Sequence, residues 1–363
     1  MSSNQSLNKI IFNNLLKSKI ALLSFFFIGA FFLISIFSYQ LMPDNTKMAN
    51  SIDLSIAKKK PGFSQVFLLK KKQLLPVYQS GLEKFFFGTN PLYTKIAINN
   101  LHIEDEFLIC NLYPHNTIEK IPISNLYINK SGSYTESTLF ILGTDMYGRD
   151  LLSRIILGTR ISFSVGFIAV LISILVGLPL GMIAGYYGGR IDIFICWLIN
   201  VVWSIPTLLL VIAISIILGK GFWQVFIAVG LTMWVEVARV SRGEVLKISQ
   251  LPYIELVKSF GLSDFKIIYK HILPNIINPI IIISAANFAT SVLLESGLSF
   301  LGIGVQPPVP SWGMIIRNHY GFIIMDKAYL SFWPGICILL LVLSFILLGN
   351  SLRDALDTKL ENN

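Results

Sequence analysis

The chain has 363 residues, 54% of them hydrophobic and only 13% charged, with 26 Phe and a mean hydropathy of +0.67. Charge at roughly half the 25% usual in soluble domains excludes disorder and points to a membrane-embedded protein. The net charge of +9, from 29 Lys and Arg against 20 Asp and Glu, then becomes a question of which membrane face carries the bases.

A spanning helix needs about 20 apolar residues, and six runs lack Asp, Glu, Lys and Arg: 20–41, 161–189, 193–219, 221–235, 276–294 and 328–352. Residues 1–19 precede the first run. Lys9, Lys17 and Lys19 resemble the start of a signal peptide, but the run is longer than an h-region and no small-residue cleavage site follows, so it reads as a retained span. Residues 42–139 form the one long non-membrane block. They hold Lys58-Lys59-Lys60, Lys70-Lys71-Lys72 and stretches such as 117–129 that mix β-branched residues with turn formers. This predicts weak strands in a small extracytoplasmic insertion of α/β or β character, with the lysine triplets on solvated faces. The core, 140–352, carries the other five runs, the fourth spanning only if it extends past Glu236 toward Arg239. Residues 353–363 form the tail.

Short loops orient a membrane protein through Lys and Arg. With the N-terminus inside, Lys9, Lys17, Lys19, Arg190, Arg239, Arg242, Lys247, Lys258, Lys266, Lys270, Arg353 and Lys359 are cytoplasmic, while short outer loops hold only Lys220, Arg317 and Lys327. Arg149, Arg154 and Arg160, just outside the second span, run against this bias. The expectation is an all-α polytopic membrane protein with six transmembrane helices and both termini cytoplasmic.

The longest cytoplasmic loop, 239–275, has the grammar of two short helices around a corner. Ser249 can cap the first, Pro252 suits its opening turn, Glu255 lies at the positive end of its dipole, and Gly261 can supply the positive φ of a stop. Ser263 or Asp264 caps the second, which Pro274 is expected to end. Ile254, Val257 and Lys258 share a face that Phe260 extends. A short amphipathic helix under a membrane domain suits docking into a groove on a soluble partner.

The spacing Glu255, Gly261, Ile267, His271, Leu273-Pro274-Asn275 resembles the EAA loop of ABC importer permeases, whose coupling helix fits a cleft on the ATPase. Leu256, Val257 and Ser259 stand where that family usually has alanines. Leu142-Gly143-Thr144-Asp145 through Arg149-Asp150 to Ser153-Arg154, then Gly158-Thr-Arg160-Ile-Ser162, is similar to the stretch before the second span in dipeptide, oligopeptide and nickel permeases. Glu295 to Gly313, with Gln306-Pro307-Pro308 and Pro310-Ser311-Trp312-Gly313, and Gly349 to Asp357 resemble the same family's outer loop and C-terminus. The likeness is to the second, C-component permease subunit and covers 140–358; the insertion 42–139 is longer than the loop of that subunit. The resemblance implies the MetI-like fold in a bacterial cytoplasmic membrane. It also implies a homologous permease partner, two ABC ATPase subunits carrying ATP and Mg, and an extracytoplasmic substrate-binding protein. The coupling loop would then use Tyr253, Glu255, Val257, Lys258, Gly261, Asp264, His271, Pro274 and Asn275.

This chain itself has no GxxxxGK[ST] loop, so it reads as a transport subunit that binds no cofactor. Cys110, Cys196 and Cys337 lack CxxC spacing, and His102, His115, His271 and His319 are scattered, so neither a metal centre nor a hydrolase triad is legible. Ionisable residues in spans are functional candidates. Glu295 could pack or line the substrate path, and Glu236 could line it or pair with Arg239 or Arg242. Asp145, Arg149, Asp150 and Arg154 read as an i, i+4 ladder on an amphipathic surface helix, which could orient the second span and neutralise its own charges or offer a candidate contact for a binding protein. Gly177, Gly181 and Gly185 make a small-residue packing face. Trp203, Trp223, Trp234 and Trp312 read as interfacial anchors. The reading is a permease subunit of an ATP-driven peptide importer, contacting lipid and no nucleic acid. Import of nickel or another small solute, or a proton-coupled secondary transporter using Glu236 and Glu295, are the alternatives.

Overall fold

The structure, a computed structural model, describes residues 15–72, 79–129, 131–219 and 222–357. Lys9, Lys220, Gly221 and Lys359 lie outside the described residues. In chain order the elements are α1 (Lys19–Ile36), α2 (Ser38–Leu41), β1 (Phe63–Lys71), α3 (Gly81–Phe87), β2 (Tyr93–Glu104), β3 (Phe107–Leu112), β4 (Thr117–Pro122) and β5 (Thr135–Phe140). There follow α4 (Leu151–Tyr187), α5 (Gly189–Trp203), α6 (Thr207–Ile217), α7 (Phe222–Ser249), α8 (Pro252–Ser259), α9 (Asp264–Ile267), α10 (Leu273–Leu301), α11 (Trp312–His319) and α12 (Tyr329–Asp357).

Among the described residues, five helices are long and apolar enough to cross a membrane, the α9 to α10 stretch counting as one. A sixth arises only if α5 and α6, which meet at 90°, form one broken span. That bend corrects the expectation of a continuous helix over 193–219. Pro206 has no N–H to continue the ladder and biases Ile205 before it away from helical conformation. The fourth run does extend past Glu236, continuing as one helix to Ser249.

The chain divides into two compact units. The first holds the described residues up to Phe32, Ser162–Gln306 and those from Ile336 on. Here α4 lies along α7 through Gly177, Gly181 and Gly185. A methyl group at Gly181 would strike the Ser241 hydroxyl and the Ala238 carbonyl, and one at Gly177 the Trp234 carbonyl. The small-residue face therefore closes a contact within this chain. Trp234 is buried against Ala184, Ile195 and Ile199, so it fills a core instead of anchoring at an interface. Trp203 and Trp223 are exposed.

The second unit comprises Leu33–Ile161 and Pro307–Gly335. Its five strands form an antiparallel sheet in the order β4-β3-β2-β1-β5. Asp105 and Asn116 take positive φ, 53° and 55°, in the two connections on either side of β3; Asp and Asn tolerate that region best after Gly. Successive residues of a strand point to opposite faces, and both faces are covered. Leu68 joins Ile98, Leu108 and Ile121 on one side, and Phe67 joins Ile56, Ala97 and Phe140 on the other. In the first lysine triplet Lys60 is exposed, but Lys58 and Lys59 are only partly solvated. Lys58 Nζ lies 4.9 Å from the Phe322 ring centroid and Lys59 Nζ 4.9 Å from that of Tyr113, so both stems cover aromatic surface. Trp312 is fully buried and its Nε1–H donates to the Ile155 carbonyl at 3.1 Å. Gly158 leaves room for its ring, so Trp312 too is a core residue and not an anchor.

Candidate functional site

The expected coupling segment lies in the first unit. Pro252 opens α8 at its first turn and Glu255 follows in that turn, but Leu251 stands at the N-cap. Ser249 is spent as the last residue of α7, which is why it does not cap. Gly261 makes the corner with φ +75°, a conformation Gly adopts at no steric cost, and its N–H donates to the Lys258 carbonyl at 2.9 Å. Helix α9 opens after Ser263, whose side chain forms no cap bond. Pro274 does not end this helix, contrary to expectation. The chain passes through a π turn at Ile268–Ile272 and continues into α10 with Pro274 in its first turn. The wider π turn accommodates the proline, which has no N–H to donate to the preceding turn.

The orientation of α8 also differs from expectation. Ile254 is fully buried against Val245, Ile248, Ile267, Ile272 and Ile276, with Val257 half-buried beside it. Burying such a side chain contributes about 1.5–3 kcal/mol. The Ile254–Val257 face thus fastens the helix to the protein, and the opposite surface is free. It carries Tyr253, Leu256, Phe260, Phe265 and Tyr269, with Phe260 74% and Phe265 76% exposed. The rings of Phe265 and Tyr269 stack at 6.1 Å. Polar contacts lock the corner. Tyr186 donates its hydroxyl to Asp264 Oδ1 at 2.7 Å, and Lys258 Nζ lies 4.6 Å from the Tyr186 ring centroid. Asn275 Nδ2 donates to the His271 carbonyl at 2.6 Å and to the Tyr253 hydroxyl oxygen at 3.4 Å. Glu255 is exposed.

Glu295 is fully buried. Ser162 Oγ donates to its Oε2 at 3.1 Å and Ser299 Oγ to its Oε1 at 2.7 Å, so in this chain the carboxyl ties α4 to α10. Glu236 is exposed and lines a small cleft with Trp203, Thr207 and Thr232. The pairing expected for it with Arg239 or Arg242 is absent, because both arginines are otherwise engaged. Arg242 forks onto Asp192, with Nη2 to Oδ2 at 2.7 Å, and the Arg239 guanidinium lies 3.0 Å from the Trp203 ring centroid.

In the second unit, Asp145, Arg149, Asp150 and Arg154 are brought together, but not as a surface ladder. Helix α4 begins only at Leu151, and all four side chains are buried. Asp145 Oδ1 accepts the N–H groups of Tyr147 and Arg149 at 2.8 and 3.0 Å, and Arg149 Nε donates to its Oδ2 at 2.7 Å. Arg154 Nε lies 3.8 Å from the same oxygen. Asp150 Oδ2 accepts from the Ser153 N–H at 2.8 Å and from its hydroxyl. Burial pushes the Asp150 carboxyl above its usual range, against the pull of the Ser153 donors. This knot orders the start of α4; it offers no exposed face to a binding protein.

Further residues outside the expected set belong to these arrangements, among them Asp192, Tyr186 and His319. Asp192, the one acid of α5, was visible as a charge in an apolar segment. Tyr186 carried no signal, since its role depends on the corner folding back. His319, which reads as scattered in sequence, is buried. The Met146 N–H donates to its Nε2 at 3.3 Å and its Nδ1 meets the Ile315 carbonyl at 2.6 Å, which fixes the proton on Nδ1. Burial holds this imidazole below its ordinary range. Among the described residues no group of three or more His, Cys, Asp or Glu could hold a metal.

Comparison with known proteins bears on this geometry. Residues 177–362, just over half of the chain, match the family model described as binding-protein-dependent transport system inner membrane component. A glutathione transport system permease protein of Pectobacterium atrosepticum is 40% identical over 61% of this chain and 73% of its own length. A dipeptide transport system permease protein of Alkalihalophilus pseudofirmus is 39% identical over 74% of this chain and 87% of its own. Among solved structures, a chain of the MetNI methionine ABC transporter in an inward-facing conformation aligns over 56% of this chain and 97% of its own, at 17% identity and a TM-score of 0.47. The chain belongs to the family of inner membrane components of binding-protein-dependent transport systems.

Proposed function

We propose that this chain is a permease subunit of an ATP-driven importer of peptides. It would pair with a homologous permease subunit above two ABC ATPases and below an extracytoplasmic substrate-binding protein. The observation that carries the coupling claim is the surface around Tyr253, Leu256, Phe260, Phe265 and Tyr269. Five large apolar or aromatic side chains are exposed on a corner whose other face is bolted down by Ile254 and Ile267. A rigid corner with an apolar outer face transmits the motion of whatever docks on it. The peptide class is supported by relatives that transport dipeptides and glutathione. The positive-inside bias supports cytoplasmic termini and an extracytoplasmic position for the strand-bearing insertion. ATP and Mg would be held by the partner ATPases, and this chain would be neither an enzyme nor a nucleotide binder.

Glu295 fits a positioning role between helices α4 and α10, and Glu236, in its cleft, is the better candidate for a polar lining of the path. The test is uptake of a labelled dipeptide by proteoliposomes holding the assembled complex. Uptake that requires ATP inside and the binding protein outside, and that survives a protonophore, supports the reading. Uptake abolished by the protonophore and indifferent to ATP overturns it in favour of a gradient-driven carrier.

A further inference from the structure

Helix α3 reads Gly-Leu-Glu-Lys-Phe-Phe-Phe and is closed at its start by a capping box between Ser80 and Glu83. A helix this short does not persist on its own, and none of its residues is buried. Leu82 is 74% exposed, Phe86 42% and Phe87 60%. Leu82 and Phe86, four apart, share a face.

What holds α3 are residues that border two apolar runs. Arg160 Nη1 donates to the Phe86 carbonyl at 2.6 Å and its guanidinium lies 5.7 Å from the Phe86 ring centroid. Gln40 Nε2 donates to the Phe85 carbonyl at 3.2 Å, and the Phe85 ring meets that of Phe37 edge-on at 5.8 Å. Just beyond the helix, the Thr89 N–H donates to the Asn45 carbonyl at 2.9 Å. Gly88 sits against the Tyr39 ring, where any side chain would collide. Phe37 directly follows α1, and Arg160 directly precedes the charge-free run 161–189. Both tethers therefore hold α3 beside the end of the first charge-free run, 20–41, and the start of the second, 161–189. Leu33 on α1, Phe37 just after it and Leu41 on α2 are each exposed and continue an apolar surface toward α3.

We propose that α3 is an interfacial membrane anchor, with Leu82, Phe86 and Phe87 seated in the boundary between acyl chains and headgroups on the side where the insertion emerges. Apolar side chains on a short helix lying at that depth bind by burial in the acyl boundary. Lys84, exposed on the same helix, reaches toward lipid phosphates by extending its stem.

The test uses the full chain, in its assembled complex in nanodiscs of phosphatidylethanolamine and phosphatidylglycerol, with single nitroxide labels in a cysteine-free background. Labels at Leu82→Cys and Phe87→Cys are compared with one at Ile118→Cys, on β4, which is exposed to the same degree as Leu82 at 73%. Collisions with oxygen should exceed those with a polar nickel chelate at the two α3 sites, and the order should reverse at Ile118. Nickel collisions at Leu82 and Phe87 as frequent as at Ile118 overturn the proposal, since α3 would face water. Loss of both kinds of collision also overturns it, because a protein such as the binding protein would then cover the helix. If the cysteine-free chain fails to assemble, hydroxyl-radical footprinting of the unaltered protein reads the same contrast. Leu82 should lose most of its oxidation relative to Ile118, and equal oxidation of the two overturns the anchor.

Discussion

Truncating Ile254 to alanine separates attachment of the corner from its contact with a partner. Ile254 is fully buried, with five aliphatic neighbours from α7, α9, the π turn and α10. Removing all of its side chain beyond Cβ at such a site costs about 2–4 kcal/mol, the upper part arising if the neighbours do not close the gap. At about 1.4 kcal/mol per tenfold, that is a shift of about 30- to 700-fold toward detachment of α8. An eight-residue helix has little stability of its own, so detachment means unfolding of residues 252–259. Hydrogen exchange of the peptide covering these residues, in the intact complex, should speed up by that factor while exchange in α7 and α10 stays unchanged. Leu256→Ala, on the exposed face, should leave exchange in the isolated chain as it was. Equal exchange in the Ile254→Ala and parent proteins, or equal acceleration by both variants, would refute the assignment of inner and outer faces.

Gly181→Leu should lower thermal stability by more than the 1–3 kcal/mol of ordinary overpacking, because its new side chain meets the backbone of Ala238. Gly297→Ala, with open space at its Cβ, should be neutral or stabilising by up to about 1 kcal/mol; a melting series of both variants decides. Asp145→Asn leaves the buried guanidinium groups of Arg149 and Arg154 without their anion, a loss of about 3–5 kcal/mol, read as a fall in Tm with helix content retained. His319 gives a pH dependence. Its folded-state affinity for protons is depressed from the ordinary 6.5, so the unfolded chain is protonated first and the stability of the neutral ring is fully present above that value and lost as pH falls below it. Asp145 opposes this depression, while Arg149 and Arg154 reinforce it. A melting profile between pH 5 and 8 should show the decline in the parent and a shallower one in His319→Gln.

The long apolar runs were legible because bilayer thickness imposes a length. The Pro206 bend was not read, although proline is a local signal, because hydropathy alone treats 193–219 as one run. The corner at Gly261 was legible from one residue, since a positive φ needs glycine; the face that α8 presents was not. Ile254 and Leu256 are both aliphatic, and only tertiary packing decides which one is covered. The charge ladder failed for a related reason. Spacing of four suggests a helix, but Gly148 takes φ +75° and breaks the segment into a turn, so Asp145 meets Arg149 through a folded loop. Buried polar partners such as His319 and Met146 are 173 residues apart in sequence and leave no local trace.

Under the proposed function, an ATPase docks on the free face of this corner. The most direct measurement is co-purification of the tagged chain from its own cells in mild detergent, with and without Leu256→Glu and Phe260→Glu together. Both side chains point away from the protein, so the second permease should be recovered equally in both samples. Walker-A-bearing ATPases should accompany the parent chain and be lost from the double variant. ATPases recovered equally with both proteins would contradict this docking.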